Sequence, residues 1–186
     1  MFGIDDALGD VVASSTQPAL GAIRLAWWRE ALQRLDTAPP PPEPRLQAAA
    51  AELLPRGLTG EALATLEDGW SALLEEVPDR ERAAARGAAL FRLAAKLLDT
   101  ENNMLDAAGR LFARSDLARR GLDVLPPPMT ELAELRAYQF PRPLRPLTTL
   151  AKLAARDVRR WPSLEAEATP GRAARLLAHR LFGFVS

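Results

Sequence analysis

The stretch QPALGAIRLAWWREAL, residues 17–32, decides the fold class of this chain. Pro18 follows Thr16 and Gln17, and proline is favoured in the first turn of a helix because its missing N–H is not needed there. At 100° per residue one broad arc of the stretch is apolar and the opposite arc is charged. This pattern predicts an amphipathic helix over 18–36 that packs against other elements. The apolar arc holds Leu20, Ile23, Leu25, Trp27, Trp28, Leu32 and Leu35.

Arg24 interrupts this apolar arc, between the directions of Ala31 and Leu35. A guanidinium buried there needs a partner, because burying an unpaired charge is strongly unfavourable. The partner is either a structural carboxylate or the phosphate group of a ligand. A third interpretation places the guanidinium in water at the end of its aliphatic stem. The sequence alone leaves all three interpretations open.

The composition of the whole chain predicts a single all-α domain, residues 1–186. Alanine and leucine, both strong helix formers, supply more than a third of the residues, and β-branched residues are scarce. Proline runs within 39–44, 126–128 and 141–143 predict loops between helices. Helices are predicted near 2–13, 18–36, 45–54, 60–77, 79–99, 103–122, 130–138, 144–160 and 171–183.

The charge balance and the lack of cysteine exclude several kinds of function. Basic and acidic residues number 24 each, so no net charge attracts nucleic acid, and no nucleic-acid partner is expected. Without cysteine the chain has no disulfide, no zinc–thiolate site and no thiol nucleophile, which favours a cytoplasmic location. No apolar run reaches the ~18 residues that a membrane-spanning helix needs.

The two predicted C-terminal helices are basic and also carry leucine and phenylalanine. Such a surface is typical of a helix that lies on an anionic membrane, which would make the protein peripheral to the inner membrane. The alternative is a helix face that contacts only water. The basic residues of this region are Arg142, Arg145, Lys152, Arg156, Arg159, Arg160, Arg172, Arg175 and Arg180.

Two aspartates one helical turn apart, Asp6 and Asp10, stand in the first predicted helix. Both carboxylates project in the same direction, and oxygen ligands of this kind bind Mg²⁺ while leaving positions for a diphosphate. Acidic residues also suit the first turn of any helix, because they offset its dipole. A magnesium site and an ordinary helix start are therefore both open interpretations.

Two later helices carry polar residues on their apolar faces. Arg86 lies within the inner face of the fifth predicted helix, and Ser115 and Arg119 lie within that of the sixth. Asp116 and Asp123 flank this sixth face, and with Arg119 they have i, i+3, i+7 spacing on one side of the helix. The set is either a salt-bridge ladder along the helix or one wall of a polar cavity.

The segment quoted first resembles the P-x-L-G-x-I-R-L-x-W-W-R-x-x-L stretch of bacterial squalene/phytoene synthase-like proteins. Similar sequence occurs in a mitochondrial respiratory complex I assembly factor of the same superfamily. RGAALFRLA, residues 86–94, resembles the helix before that family's second aspartate box. GRLFARSDLAR, residues 109–119, resembles the helix that carries the box. The resemblance covers most of the chain from residue 2 onward.

This resemblance implies a fold, a cofactor and a substrate class. The family fold is an antiparallel helical bundle of the isoprenoid synthase type around a large cavity. Two aspartate boxes face each other across the cavity and hold Mg²⁺, which binds and ionises prenyl diphosphates for head-to-head coupling. By position, Asp6 and Asp10 would bind the metal, and Asp116 and Asp123 would join them as catalytic residues. The substrate-binding positions implied are Arg24, Trp28, Arg86, Ser115 and Arg119.

The chain departs from this family at two places. The family has an aspartate directly after the position of Arg119, where this chain has Arg120, and a guanidinium there would repel Mg²⁺. The chain is also short for the family, so a helix before the first aspartate box is expected to be missing or to be encoded upstream of Met1.

These departures predict a degenerate family member. Its expected function is to bind a prenyl diphosphate or another isoprenoid or lipid, and to assist assembly of a membrane-linked complex without catalysis. The first alternative is an active Mg²⁺-dependent head-to-head prenyltransferase. The second alternative is a helical interaction module with a solid core.

Overall fold

The computed structural model of this protein describes residues 1–123 and 128–185. These residues are mostly helical and contain no β-strand, which confirms the all-α prediction. In the same ranges no helix is long and apolar enough to cross a membrane. The first two prolines of the predicted loop at 126–128 lie outside the described residues.

The helices follow one another through both described ranges with short connections. Shorter helical turns of other types are a π-helix over Ala49–Leu53 and 3₁₀-helices over Leu54–Arg56 and Arg142–Leu144. The α-helices are α1 (Phe2–Ser14), α2 (Pro18–Arg34), α3 (Pro44–Ala48), α4 (Gly60–Ala64), α5 (Leu66–Ser71), α6 (Arg80–Lys96), α7 (Leu105–Arg119), α8 (Thr130–Glu134), α9 (Arg145–Arg159) and α10 (Pro170–Phe182).

Side-chain caps fix the starts of several helices. The Asp79 carboxylate accepts hydrogen bonds from the N–H groups of Glu81 and Arg82, each at 3.0 Å, where α6 begins. The Thr59 hydroxyl accepts one from the N–H of Ala62 at 3.1 Å, where α4 begins. These caps satisfy N–H groups that have no partner within the first helical turn.

Two predicted helices are interrupted. The helix predicted over 45–54 changes to π and 3₁₀ geometry near Pro55, which has no N–H to continue the α-helical pattern. The helix predicted over 60–77 breaks at Thr65, whose hydroxyl donates to the carbonyl of Ala62 at 2.7 Å. Such a bond competes with the backbone hydrogen bonds of the helix.

Two further helices end earlier than predicted, ahead of residues in the left-handed conformation. Helix α6 ends at Lys96, and Asp99 has a φ of 48°. Helix α8 ends at Glu134, and Ala137 has a φ of 59°. A right-handed helix cannot continue through a positive φ, so the predicted extension to 138 is wrong.

Helices α6 and α7 form the central pair of the fold and contact each other at backbone distance. A Cβ atom on Gly87 would lie 2.0 Å from the carbonyl oxygen of Gly109, and one on Gly109 would lie 2.1 Å from that of Gly87. No side chain fits between the two backbones at this crossing. Helix α5 packs against α6, helix α9 packs against α7, and α1 and α2 contact α5.

Helix α2 is buried on only half of its predicted apolar arc. Leu25 and Trp28 face the core, whereas Ile23 is 66% exposed and Trp27 is 47% exposed. Arg24 is also exposed, and its guanidinium donates to the Ser14 hydroxyl at 3.3 Å. Of the three interpretations of Arg24, the structure therefore agrees with the one that places the guanidinium in water, because only one side of α2 meets α1, α4 and α5.

Candidate functional site

Helix α1 presents its aspartates on two sides. Asp5 points into the core and is 2% exposed, whereas Asp6 and Asp10 lie on the exposed side. The indole N–H of Trp70 donates to Asp5 Oδ1 at 2.9 Å. Because a buried carboxylate must be paired, this bond and the ion pair described next hold Asp5 inside.

Arg86 is fully buried in the core, in agreement with its place on the inner face of its helix. Its side chain has no exposed surface, and one terminal nitrogen donates to Asp5 Oδ2. The other terminal nitrogen donates to Asp116 Oδ2 at 3.0 Å. The guanidinium carbon also lies 3.8 Å from the ring centre of Trp70. Arg86 therefore joins α1, α5 and α7 to α6.

Arg120 occupies the space between the aspartates of α1 and α7. Its Nε donates to Asp116 Oδ1 at 2.9 Å, and its two terminal nitrogens lie 2.6 Å from Asp6 Oδ1 and 3.7 Å from Asp10 Oδ1. Burial disfavours the charged guanidinium, but Asp116 and Asp6 outweigh this effect and hold the pKa of Arg120 above its usual value. Three of the four carboxylates predicted to be catalytic thus surround one arginine.

Gly9 allows this arrangement. A Cβ atom at this position would lie 2.8 Å from the Trp70 ring and 2.9 Å from the terminal nitrogen of Arg120. The Trp70 ring therefore packs directly on the backbone of α1, with the Arg120 guanidinium 5.5 Å from the ring centre.

A second charged cluster joins α7, α9 and α10. Asp157 is 1% exposed, and its carboxylate accepts a hydrogen bond from the Ser115 hydroxyl at 3.0 Å. Two nitrogens of Arg119 donate to the two oxygens of this carboxylate, each at 2.7 Å. Arg172 donates to the same carboxylate at 2.6 Å. Ser115 and Arg119 therefore face Asp157, and these residues line a cavity of about 290 Å³ together with Glu167.

The remaining predicted site residues lie elsewhere. Asp123 pairs with Arg80 at the start of α6, where the Nε–Oδ2 distance is 2.7 Å. Trp28 is buried against the exposed Trp27, with ring centres 5.4 Å apart. Arg24 is on the outside of α2. The interpretation of Asp116, Arg119 and Asp123 as a salt-bridge ladder is wrong, because each of the three pairs with a residue of another helix. Asp116 pairs with Arg86 of α6, and Asp123 pairs with Arg80 of α6. Arg119 pairs with Asp157 of α9.

The arrangement bears directly on the predicted Mg²⁺ site. The Arg120 guanidinium already pairs with the carboxylates of Asp6, Asp10 and Asp116, which would otherwise be offered to a metal. With Arg120 in this position these carboxylates do not fit Mg²⁺, which would have to displace it. No group of three or more His, Cys, Asp or Glu residues suited to a metal ion occurs in residues 1–123 and 128–185. The magnesium assignment stays a prediction.

Sequence reasoning missed three members of these clusters. Asp5 stands directly before Asp6, and the spacing of the aspartates alone does not indicate that Asp5 faces the core. Nothing near Trp70 in the sequence indicates that Asp5 accepts a hydrogen bond from its indole N–H. Asp157 lies on the buried, mostly apolar side of α9. Because a carboxylate is seldom buried without a partner, its position there indicates a buried arginine partner.

Comparisons of this chain with family models, with curated proteins and with solved structures found no match. The squalene/phytoene synthase relationship therefore stays the resemblance described from the sequence.

Proposed function

We propose that this protein is a squalene/phytoene synthase-like helical protein that binds a lipid-type ligand at an anionic membrane and assists assembly of a membrane-linked complex. Its paired aspartates hold helices together instead of a metal. The alternative is an active Mg²⁺-dependent prenyltransferase, in which Arg120 would have to swing away from Asp6, Asp10 and Asp116. A second alternative is a helical interaction module with a solid core, and the buried ion pair between Asp5 and Arg86 is compatible with it.

The observation that carries the proposal is the position of Arg120. It forms ion pairs with aspartates from both candidate boxes, so the cation that joins the boxes is part of the chain itself. Two of its partners come from sequence positions more than a hundred residues apart. Removing this guanidinium would leave three carboxylates that repel one another. This geometry supports a structural role for the aspartates.

The membrane part of the proposal rests on a C-terminal face, defined here by Arg142, Leu177, Arg180 and Leu181. Leu177 and Leu181 are 64% and 68% exposed and lie one turn apart on α10. Arg142 and Arg180 line a groove of about 530 Å³ beside them and have no carboxylate partner within the described residues. Exposed leucines next to unpaired arginines complement the acyl boundary and phosphates of anionic lipid.

The catalytic alternative is tested by incubating the purified chain with farnesyl or geranylgeranyl diphosphate and Mg²⁺. We expect neither a coupled product nor release of diphosphate. A labelled squalene- or phytoene-type product that disappears in Asp6→Asn with Asp10→Asn would refute the proposal. A positive control enzyme of this type confirms that the assay detects turnover.

The variant Arg120→Asp tests the role of the guanidinium directly. It puts a fourth carboxylate beside Asp6, Asp10 and Asp116, so saturating Mg²⁺ is expected to raise its melting temperature by roughly 3–6 °C. The wild-type chain should show no saturable Mg²⁺ effect in the same measurement. The control Arg92→Asp, which makes the same charge change beside the exposed Asp106, should also show none. Saturable Mg²⁺ stabilisation of the wild type would contradict the structural role of Arg120.

Vesicle binding tests the C-terminal face. The double variant Arg142→Gln with Arg180→Gln is expected to bind vesicles containing phosphatidylglycerol roughly 30-fold more weakly, because each arginine near the surface contributes about 1 kcal/mol. Arg24→Gln with Arg34→Gln removes the same charge from α2 and should have little effect. Co-sedimentation measures both. Equal losses in the two double variants would show that the face is not the contact.

A further inference from the structure

Helices α9 and α10 are antiparallel, and two polar contacts fix their register. Near one end, the Thr148 hydroxyl lies 2.8 Å from Nε2 of His179. Near the other end, Arg172 donates to Asp157 at 2.6 Å. Residues that lie between these contacts, on the side of α9 that carries Thr148, therefore face residues on the side of α10 that carries His179.

Two basic side chains face each other in this interval. Lys152 lies one turn beyond Thr148 on α9, and Arg175 lies one turn before His179 on α10. Lys152 is only 9% exposed, whereas Arg175 is exposed. Neither has a hydrogen bond or a carboxylate partner within residues 1–123 and 128–185. Two like charges therefore meet across a helix interface without a counter-ion from the chain.

The carboxylates of this region are committed elsewhere. Residues 135–186 contain ten arginines and lysines but only three acidic residues. Asp157 is held by Ser115, Arg119 and Arg172, as described above. Glu165 is paired with Arg156, and its hydrogen bonds with Arg156 and Thr169 lower the pKa of Glu165 to about 2. The third acid, Glu167, lines the cavity beside α7.

The positive charge of the Lys152 ammonium group is consequently disfavoured by its surroundings. Burial lowers its pKa, and the nearby Arg175 and Arg159 lower it further. Arg159 lies two turns after Lys152 on the same side of α9 and is exposed. The Lys152 stem is buried, while its ammonium group reaches the surface beside these cations with no carboxylate partner in the described residues, so an anion that joins it would offset the repulsion between the positive charges.

We infer that Lys152 and Arg175, together with Arg159, form a binding site for a phosphate-type anion between α9 and α10. The site is separate from the aspartate cluster and goes beyond the function proposed above. An ammonium offers a point charge, and a guanidinium offers parallel N–H groups that fit two oxygens of a phosphate. The exposed arginines bind the anion from the solvent side, and Lys152 contacts it from the interface between α9 and α10. The phosphate comes either from a soluble compound or from a lipid headgroup.

Calorimetric titration of the full chain with inorganic phosphate and inorganic pyrophosphate, in Mg²⁺-free buffer at constant ionic strength, tests the site. We expect saturable binding to the wild type and a dissociation constant at least about tenfold higher for Lys152→Met. Arg175→Gln changes an exposed position, so it keeps the core intact while weakening the affinity severalfold. The control Arg34→Gln, which removes one exposed charge from α2, should bind as the wild type does.

Vesicles separate the two sources of phosphate. Phosphatidic acid exposes a phosphate monoester, whereas phosphatidylglycerol at matched surface potential presents a diester. Preference for phosphatidic acid that is lost in Lys152→Met identifies a headgroup, and binding of the soluble probes alone identifies a free phosphate compound. Both outcomes support the site.

The site is overturned if neither probe nor phosphatidic acid binds saturably, or if the Lys152 variant binds as tightly as Arg34→Gln. Should Lys152→Met fail to fold, Arg175→Gln is judged against Arg34→Gln by the same criterion. Since the soluble titration contains no prenyl group, no metal and no membrane, its outcome is independent of the function proposed above.

Discussion

Replacing Arg86 with methionine is expected to lower the free energy of unfolding by about 3–5 kcal/mol, because it leaves a buried carboxylate without its cation. Asp5 would keep the N–H of Trp70 as its only polar contact in the described structure. Asp116 would also lose one of its two arginine partners. Urea unfolding followed by tryptophan fluorescence measures the loss.

Two comparisons isolate the buried pair. Arg92→Met removes an arginine from the same helix, but Arg92 and its partner Asp106 are both more than half exposed. Exposed pairs contribute at most about 1 kcal/mol, so this variant should be nearly neutral. Asp5→Asn combined with Arg86→Met should be more stable than Arg86→Met alone, since no buried charge remains unpaired on α1. A double variant no better than the single one would show that packing of Arg86 on Trp70 dominates.

Replacing Gly87 with alanine is expected to destabilise the protein by about 3 kcal/mol or more, at the upper end of overpacking effects. The new Cβ would meet the carbonyl oxygen of Gly109 at 2.0 Å, and a backbone atom cannot rotate away as a side chain can. The central helices α6 and α7 would have to separate. Thermal and urea unfolding both measure this change.

Gly3→Ala is the matched control for this variant. Gly3 also lies in a helix, α1, but a Cβ there meets nothing within 4 Å. Alanine should therefore stabilise the protein by up to about 1 kcal/mol through helix propensity alone. If Gly87→Ala were also stabilising, the close approach of α6 and α7 would be refuted.

The helices were largely predictable, because apolar spacing, prolines and caps act within a few residues. The helix caps formed by Asp79 and Thr59 are such local features. Helix ends were less predictable where they depend on geometry beyond the pattern, as at Thr65 and Asp99. The exposure of Arg24 illustrates a different gap. A broad apolar arc indicates which residues can be buried, but the number of neighbouring helices decides how many are.

The charged clusters were predictable only in part. The sequence placed Arg86, Ser115 and Arg119 on inner faces, and it singled out Arg120 as a cation among carboxylates. The partners could not be read from spacing, because Asp5 and Arg86 are 81 positions apart and Arg120 and Asp6 are 114 apart. Pairings at such separations follow from how the helices pack, which a local pattern does not encode.

The uneven distribution of charge described for the C-terminal part has a consequence for encounters in solution. The chain is neutral overall, so the excess of positive charge after residue 134 is matched by an equal negative excess before it. This separation of charge predicts a permanent dipole moment for the molecule. Near a negatively charged surface we expect it to rotate before contact so that α9 and α10 approach first, and dissolved salt should shorten the distance over which this orientation occurs.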